Sequence, residues 1–205
     1  MVEDFLRQSP LSHLALAARG DSERAAGHGV MLAERPFRSV VTLRGQVDDA
    51  AFAGAVHRIV GLGLPHKAGQ VAGDPKGREI LCLGPDEWWL TDAAEEAEDL
   101  VGSLEKAAEG LFAQIVDTSD NWFALELAGP RARDLLAKAC PLDLHPRNFG
   151  PGRCAQSLLS KAPMTLQQLD DTPTFRLYVR RSFADYAWRW LTDAGREYGL
   201  TLLQS

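Results

Sequence analysis

The sequence predicts an α+β fold of two related lobes, each in the order strand, helix, strands, long helix. Three observations support this prediction. The chain has 205 residues and 45% of them are hydrophobic, enough for one sizeable core or for two small lobes that share one. Short β-branched runs alternate with apolar residues at helical spacing. The same order occurs twice, over residues 39–111 and 122–199.

Residues 1–35 are predicted to form an N-terminal arm with a short helical piece around residues 10–18, because Gly20, Gly27 and Gly29 interrupt any regular pattern. Residues 36–205 are predicted to form one domain. Its lobes are expected to span about residues 36–115 and 116–205.

The first lobe opens with a β-branched strand at residues 39–45. Asp48 and Asp49 then offer N-caps for a helix that reaches Val60. A hairpin loop is predicted at residues 69–78, followed by strands at 80–83 and 88–90. A long amphipathic helix covers residues 97–111, with its acidic residues mostly opposite the apolar face.

The second lobe begins with a strand at residues 122–127, and Pro130 suits the first turn of the next helix. Strands are predicted at residues 154–159, 164–169 and 175–179. Ser182 and Asp185 have the spacing of a capping box before the last helix. Two explanations of the repeated order stay open: a true duplication packed about a pseudo-twofold axis, or the alternation common to α+β domains.

Composition excludes several classes of function. The formal net charge is -6, so nucleic-acid binding is not expected, since that needs clustered Lys and Arg. The densest basic group is small: Arg176, Arg180 and Arg181. Neither a signal peptide nor a membrane-spanning segment is expected from the sequence. Three cysteines without close pairs favour a reducing cytoplasm over a disulfide framework.

Motifs that carry chemistry are absent from the sequence: CxxC, HExxH, GxSxG and the Walker loop. Gly61 and Gly63 begin like a dinucleotide motif, but Pro65 follows where the helix should start. Cys140, His145 and Cys154 could be metal ligands, although their spacing fits no common zinc pattern and a structural role is favoured. No catalytic, cofactor-binding or metal residue is therefore predicted.

Residues 117–120, Asp-Thr-Ser-Asp, could hold a ligand, but they more readily form a turn before the strand at Trp122, because Asp and Ser bond local backbone amides.

Three tryptophans are predicted as a partner interface: Trp88, Trp89 and Trp188. Adjacent residues of a strand point to opposite faces, so one ring of the Trp88–Trp89 pair should fill the core and the other should be partly exposed. In the last helix, Trp190 fits the apolar stripe and Trp188 falls outside it. Large aromatic rings that a core does not claim are typical of protein interfaces.

Five segments carry a resemblance to a known family. They are Val41-Thr42-Leu43-Arg44-Gly45, Leu83-Gly84-Pro85-Asp86-Glu87-Trp88-Trp89-Leu90, Leu125-Glu126-Leu127-Ala128-Gly129-Pro130-Arg131-Ala132, Cys140-Pro141-Leu142-Asp143-Leu144, and Phe175-Arg176-Leu177-Tyr178-Val179-Arg180-Arg181-Ser182-Phe183-Ala184-Asp185-Tyr186. Together they resemble the gamma subunit family of heterotetrameric sarcosine oxidase, from about residue 10 to the C-terminus. More distantly, the pattern is similar to the folate-binding domain of the glycine-cleavage aminomethyltransferase.

The resemblance implies a non-catalytic subunit of an oxidase that demethylates sarcosine to glycine, with hydrogen peroxide and methylene-tetrahydrofolate formed. It implies partner subunits alpha, beta and delta, which would carry FAD, FMN, NAD, tetrahydrofolate and zinc. In the folate-binding relatives, a Tyr-x-Gly-Glu-x-Gly-x-Glu segment leads into the strand that corresponds to residues 175–179. Residues 169–176 lack that tyrosine and those glutamates. We therefore expect the fold without the folate site.

Two other functions stay open. A free-standing folate-dependent aminomethyl transferase would need a deep central pocket with convergent acids and an aromatic stacking face. The other alternative is an α+β domain that binds some other small metabolite.

Overall fold

The structure is a computed structural model that describes residues 8–14, 29–92 and 97–203. Its eleven strands in this part of the chain are β1 Val30–Arg35, β2 Ser39–Arg44, β3 Val71–Gly73, β4 Glu79–Cys82, β5 Glu87–Asp92, β6 Gln114–Asp117, β7 Trp122–Ala128, β8 Arg153–Leu159, β9 Ala162–Asp170, β10 Thr174–Arg180 and β11 Leu200–Leu203. The α-helices there are α1 Ala50–Val60, α2 Ala97–Ala107, α3 Ala132–Ala137 and α4 Ala184–Gly195.

The strands form two sheets that repeat one order. Sheet B has the order β3-β4-β5-β2-β6, and sheet A has the order β8-β9-β10-β7-β1-β11. Read along the chain, strands β2 to β5 of sheet B match strands β7 to β10 of sheet A. Sheet A differs by one strand, because β1 lies between β7 and β11 and pairs with both. The repeated order in the sequence is thus a repeated sheet topology.

Three apolar clusters show four layers. One cluster joins sheet B to α1 and α2, through residues such as Leu43, Phe52 and Leu104. Another joins sheet A to α3 and α4, for example through Leu177 and Leu191. The third lies between the two sheets. The sheets therefore face each other, and each is covered by helices on its outer face.

Alternation in each strand sorts side chains between these layers. In β10, Phe175, Leu177 and Val179 belong to the cluster on the helix side, whereas Tyr178 belongs to the cluster between the sheets. A strand with both faces covered is apolar in almost every position, and the buried pattern of β10 fits this rule except at Arg176. That exception leads to the polar centre of the molecule.

The start and end of α1 follow from local chemistry. The Asp49 carboxylate accepts hydrogen bonds from the backbone N–H groups of Ala51 (2.8 Å) and Phe52 (3.3 Å). This satisfies two of the free donors at the helix start. Gly61 ends the helix in the left-handed conformation, with φ at 78°, which glycine adopts without steric cost. Of the two aspartates offered by the sequence, Asp49 is the cap.

Several predictions are corrected by the structure. Val30–Arg35, placed in the N-terminal arm, is a strand inside sheet A. The boundary predicted between the lobes near residue 115 falls inside β6. The capping box at Ser182 is wrong, because residues 181–183 form a 3-10 turn and α4 begins without a side-chain cap. Of the helical piece predicted around residues 10–18, Ser12–Leu14 is a 3-10 turn, and residues 15–18 lie outside the described residues.

Candidate functional site

A charged network lies between the two sheets, and Arg176 is its centre. The guanidinium donates to Glu79 of sheet B at 3.0 Å and to Glu126 of sheet A at 2.8 and 3.1 Å. It also donates to the carbonyl of Pro75, in the loop before β4, at 2.9 Å. Arg35 of β1 donates to the second oxygen of Glu126 at 2.7 Å. Two acids and two arginines thus balance in charge across the sheets.

Burial makes this network energetically demanding. Arg176 is 3% exposed and Glu79 is 1% exposed. Charged groups so far from water are tolerated only when they are paired and hydrogen-bonded. Gln167 adds a further hydrogen bond, from its amide nitrogen to Glu79. The network therefore fixes one sheet to the other through specific partners.

The environment shifts the three central pKa values. Burial raises the pKa of Glu79, and the charge of Arg176 offsets only part of that effect. Burial alone would raise the pKa of Glu126, but the hydrogen bonds and charges of Arg176 and Arg35 outweigh it and lower that pKa. Burial would lower the pKa of Arg176, but Tyr178 and the two carboxylates raise it. Arg176 therefore stays charged.

Aromatic rings fill the same space next to the network. The rings of Trp89 and Tyr178 meet edge to face, with centroids 5.8 Å apart, and Trp89 also lies 4.4 Å from Trp122. Trp89 comes from sheet B and the other two come from sheet A. Aromatic packing and ion pairs thus occupy the region where the sheets face each other.

Trp88 and Trp89 do point to opposite faces, as the strand alternation predicts. Trp88 belongs to the cluster under α1 and α2, and its ring nitrogen donates to the Pro65 carbonyl at 2.9 Å. The exposure predicted for one of the pair is wrong, since Trp88 is 0% and Trp89 2% exposed. The second sheet, which the sequence did not place opposite β5, covers Trp89. A partner contact at either ring stays a prediction without an exposed ring to support it.

The assignment of the two tryptophans in α4 is reversed. Trp188 is 5% exposed and is part of the core beneath the helix. Trp190 is only partly buried and packs against the edge of that core. Trp188 follows buried Ala184 by four residues and precedes buried Leu191 by three, so it lies on the buried face, whereas Trp190 lies on the flank of that face. Trp188 therefore offers little surface to a partner in the isolated chain.

The sulfur and imidazole groups considered as metal ligands do not converge. Cys140 lies in the cluster on the helix side of sheet A, Cys154 lies between the sheets, and His145 is exposed. All three cysteines are free and buried, and burial raises the pKa of Cys154 to about 12. A thiol with so high a pKa is a poor nucleophile at neutral pH.

Residues 117–120 form the turn that the sequence favoured. The Asp117 carboxylate accepts from the backbone N–H and the hydroxyl of Ser119. Thr118 and Ser119 then bond both backbone groups of Val40 in β2. This turn holds the end of β6 against the neighbouring strand β2.

Two features were missed at the sequence level. Arg176 stands in an apolar strand, and a charge there signals a buried pair, but its partners Glu79 and Glu126 are remote in sequence. Phe112 follows the end of α2 and is 88% exposed, the highest value among the exposed large hydrophobic side chains of the described residues. A phenylalanine just outside the predicted apolar face of the helix was the available signal in the sequence.

The densest basic group of the sequence does not form one surface patch. Arg176 is buried, whereas Arg180 lies over the ring of Trp122 at the surface.

The repeated α+β fold is similar to that of an aminomethyltransferase. The solved structure of aminomethyltransferase T of the glycine cleavage system from Bartonella henselae superposes on 92% of this chain, using 50% of the length of that enzyme, with a TM-score of 0.63. The sequence identity is 16%, so the match shows similarity of fold alone. The chain matches the family described as "Sarcosine oxidase, gamma subunit family" over residues 44–197. It therefore belongs to that family.

Individual members of this family align with nearly the whole chain. The sarcosine oxidase subunit gamma of Corynebacterium sp. strain U-96 is 40% identical, over 94% of this chain and 92% of the relative. The corresponding subunit from an Arthrobacter species is 39% identical with the same coverage. A chain of the heterotetrameric sarcosine oxidase from Corynebacterium sp. U-96, solved with pyrrole 2-carboxylate, matches with a TM-score of 0.84 and 37% identity, over 95% of this chain and 97% of that one.

Proposed function

We propose that the chain is the non-catalytic gamma subunit of a heterotetrameric sarcosine oxidase and supports assembly of that complex. The observation that carries the proposal is its match, over 95% of its length, to a chain of such an oxidase. The oxidase would demethylate sarcosine to glycine, with formation of hydrogen peroxide and methylene-tetrahydrofolate.

The contents of the space between the sheets support a structural role. A folate-dependent transferase needs an open central pocket with free acids and an aromatic face for stacking. Here Glu79 and Glu126 are both bonded to Arg176, and the Trp89 face contacts Tyr178 and Trp122. Those acids are neutralised within the chain, and that aromatic surface is used for packing. This favours the subunit over the transferase.

The finer assignments concern the partners. The alpha, beta and delta subunits would bind FAD, FMN, NAD, tetrahydrofolate and zinc, and this chain would bind none of them. We place the complex in the cytoplasm, where the three free thiols would remain reduced. Among the helices of the described residues, none combines the length and apolar character needed to cross a bilayer.

The test is purification of the complex through a tag on this chain, expressed in its native cells. We expect three further chains at equal stoichiometry, bound flavin absorbance, and peroxide production from sarcosine. The chain purified alone should have neither the absorbance nor the activity. Peroxide formation from sarcosine by the isolated chain would overturn the proposal.

A second measurement addresses the transferase alternative. Calorimetric titration of the isolated chain with tetrahydrofolate should give no heat of binding, because the acids between the sheets are paired with Arg176. Micromolar binding would instead favour the transferase, and Asp117 and Asp120 would be the next acids to substitute.

A further inference from the structure

Sheet B is one strand shorter than sheet A, and its outer edge is β6. In sheet A, the strand next to β7 is β1, and β11 lies outside it. In sheet B, the strand next to β2 is β6, and the described residues supply no strand outside it. β6 follows α2 as β11 follows α4, so β6 is the counterpart of β11, and the strand without a counterpart in sheet B is β1. Among the described residues, β6 is therefore a terminal strand of sheet B.

The edge at β6 is open to solvent. Gln114, Val116 and Asp117 are exposed and only Ile115 is buried. β6 pairs with β2 in an antiparallel register, so every second backbone N–H and C=O group of β6 points away from the sheet. Such an edge is a template for one more strand from another chain.

Apolar surface lies directly beside this edge. Phe112 is 88% exposed and Val116 is 38% exposed. A shallow depression of about 340 Å³ adjoins Phe112 and is bounded on its polar side by the ion pair of Arg44 with Asp86. The depression lies where β2 ends and β6 begins, so a segment paired along β6 would reach it and Phe112 by continuing past Gln114.

The charges around the patch indicate the chemistry of that strand. Glu109 and Asp117 flank Phe112 on either side in sequence, and both are exposed. Within the described part of the chain, Glu109 has no ion pair. Arg44, which lines the depression, is already paired with Asp86 and Glu87. Lys106 alone does not balance Glu109 and Asp117. A complementary segment therefore carries apolar side chains next to Lys or Arg.

We propose that the β6 edge, with Phe112 and Val116, docks an extended segment of another subunit of the oxidase that combines apolar and basic residues. The segment adds as a sixth strand to sheet B. This inference rests on the proposed function and adds the surface through which the chain is held.

The experiment uses the complex, co-expressed with its three other subunits. The test variant is Phe112→Asp, and the matched control is Leu158→Asp, which places the same charge at another exposed apolar position, 44% exposed, in β8. Native mass spectrometry and titration of the gamma-free complex with each variant measure assembly. We expect Phe112→Asp to weaken binding by about tenfold or more, as for a central aromatic residue of an interface.

Two further variants test the charge argument and the fold. Glu109→Lys should weaken binding at low salt and lose its effect at high salt. The melting temperature of the isolated Phe112→Asp chain should equal that of the wild type, so that any loss of assembly is not a loss of folding.

The outcomes separate this inference from the function it rests on. If wild-type chain does not join the other subunits, the proposed function fails. If wild type joins and Phe112→Asp binds with unchanged affinity, the surface is wrong and the function stands. If the isolated chain dimerises and Phe112→Asp abolishes the dimer while the heterotetramer persists, a second copy is the occupant and the proposal is overturned.

Discussion

Arg176 joins three segments that are far apart in the sequence. Its guanidinium bonds Glu79 and the Pro75 carbonyl of the first lobe as well as Glu126 of the second. Removing charges from water costs several kcal/mol for each ion, and the pairs recover that cost only while every partner is present. Loss of one partner should therefore be costly, even where the whole network adds little net stability.

Replacing Arg176 by Ala should lower the free energy of unfolding by about 3–5 kcal/mol, because it leaves the buried Glu79 carboxylate without an ion-pair partner and removes one of the two arginines that pair with Glu126. Urea denaturation of the isolated chain measures the change. The control is Arg189→Ala, which removes an exposed pair with Asp185 and should cost under about 0.5 kcal/mol. Equal effects of the two substitutions would mean that the buried network does not hold the sheets together.

The lowered pKa of Glu126 predicts a pH dependence of stability. Because this pKa lies below its ordinary value of 4.5 in the folded chain, the unfolded chain binds the proton more tightly. Stability should therefore fall as the pH drops below 4.5 towards the folded-state pKa. Glu79, with a raised pKa, acts in the opposite direction, and its contribution to stability is lost as the pH rises through its folded-state pKa.

Glu126→Gln isolates this contribution. Its free energy of unfolding should fall less steeply than that of the wild type between about pH 5 and pH 3. Glu105→Gln, at an exposed position of α2, is the matched substitution and should keep the wild-type slope. A slope in Glu126→Gln as steep as in the wild type would assign the acid sensitivity to other carboxyl groups.

At the scale of single elements, β5 shows how two covered faces change the role of a residue. Trp88 lies against the helices and Trp89 against the opposite sheet, so both rings are buried. The alternation in the strand predicted opposite directions correctly. What it lacked was the layer on the far side, because a second sheet is formed by residues distant in sequence.

Trp88→Ala and Trp89→Ala should each lower the free energy of unfolding of the isolated chain by about 3–5 kcal/mol, as expected for a large ring removed from a core. Phe112→Ala, which truncates an exposed ring, should change it by no more than about 0.5 kcal/mol. Chemical denaturation of the three variants gives the comparison. A small effect for Trp89→Ala would argue against tight packing between the sheets.

The difference between local pattern and contacts distant in sequence explains which elements could be predicted. Elements with a clear period were predicted close to their limits, such as β2, α1 and β10. Strands β3, β6 and β11 were missed, since three or four residues carry too little pattern. β1 was missed because its burial depends on β7 and β11, both of which lie much later in the chain. The ion network was not predicted for the same reason. Its charged residues come from distant parts of the sequence and can be recognised as partners only once the fold brings them together.

At the scale of the whole molecule, sheet A depends on a strand from outside the second lobe. β1 pairs with β7 on one side and with β11 on the other, and Val30 and Leu32 are fully buried. Val30 and Leu32, predicted to belong to an arm, are therefore part of the core. The lobes are linked by this strand as well as by the charges between the sheets.

Deletion of residues 1–35 should abolish cooperative folding of the second lobe, because it separates β11 from β7 and exposes the apolar face of sheet A. Urea unfolding followed by tryptophan fluorescence and by circular dichroism would report the loss, as a broadened transition with different midpoints for the two probes. The full-length chain should give a single transition. A truncated chain that unfolds in one sharp step at the wild-type midpoint would restore the interpretation of this segment as an arm.

The place of β1 also sets an order of events during synthesis. Every strand that the structure describes in sheet B lies between residues 39 and 117, so these strands can pair once residue 117 has left the ribosome. β1 is made before any of them, yet its partner β11 is the last strand of all. Translation proceeds at about 5–20 residues per second, so β1 remains unpaired with β7 and β11 for several seconds after it is made. A growing chain in this state is a candidate client for chaperones, and slow translation of the second lobe would lengthen that exposure.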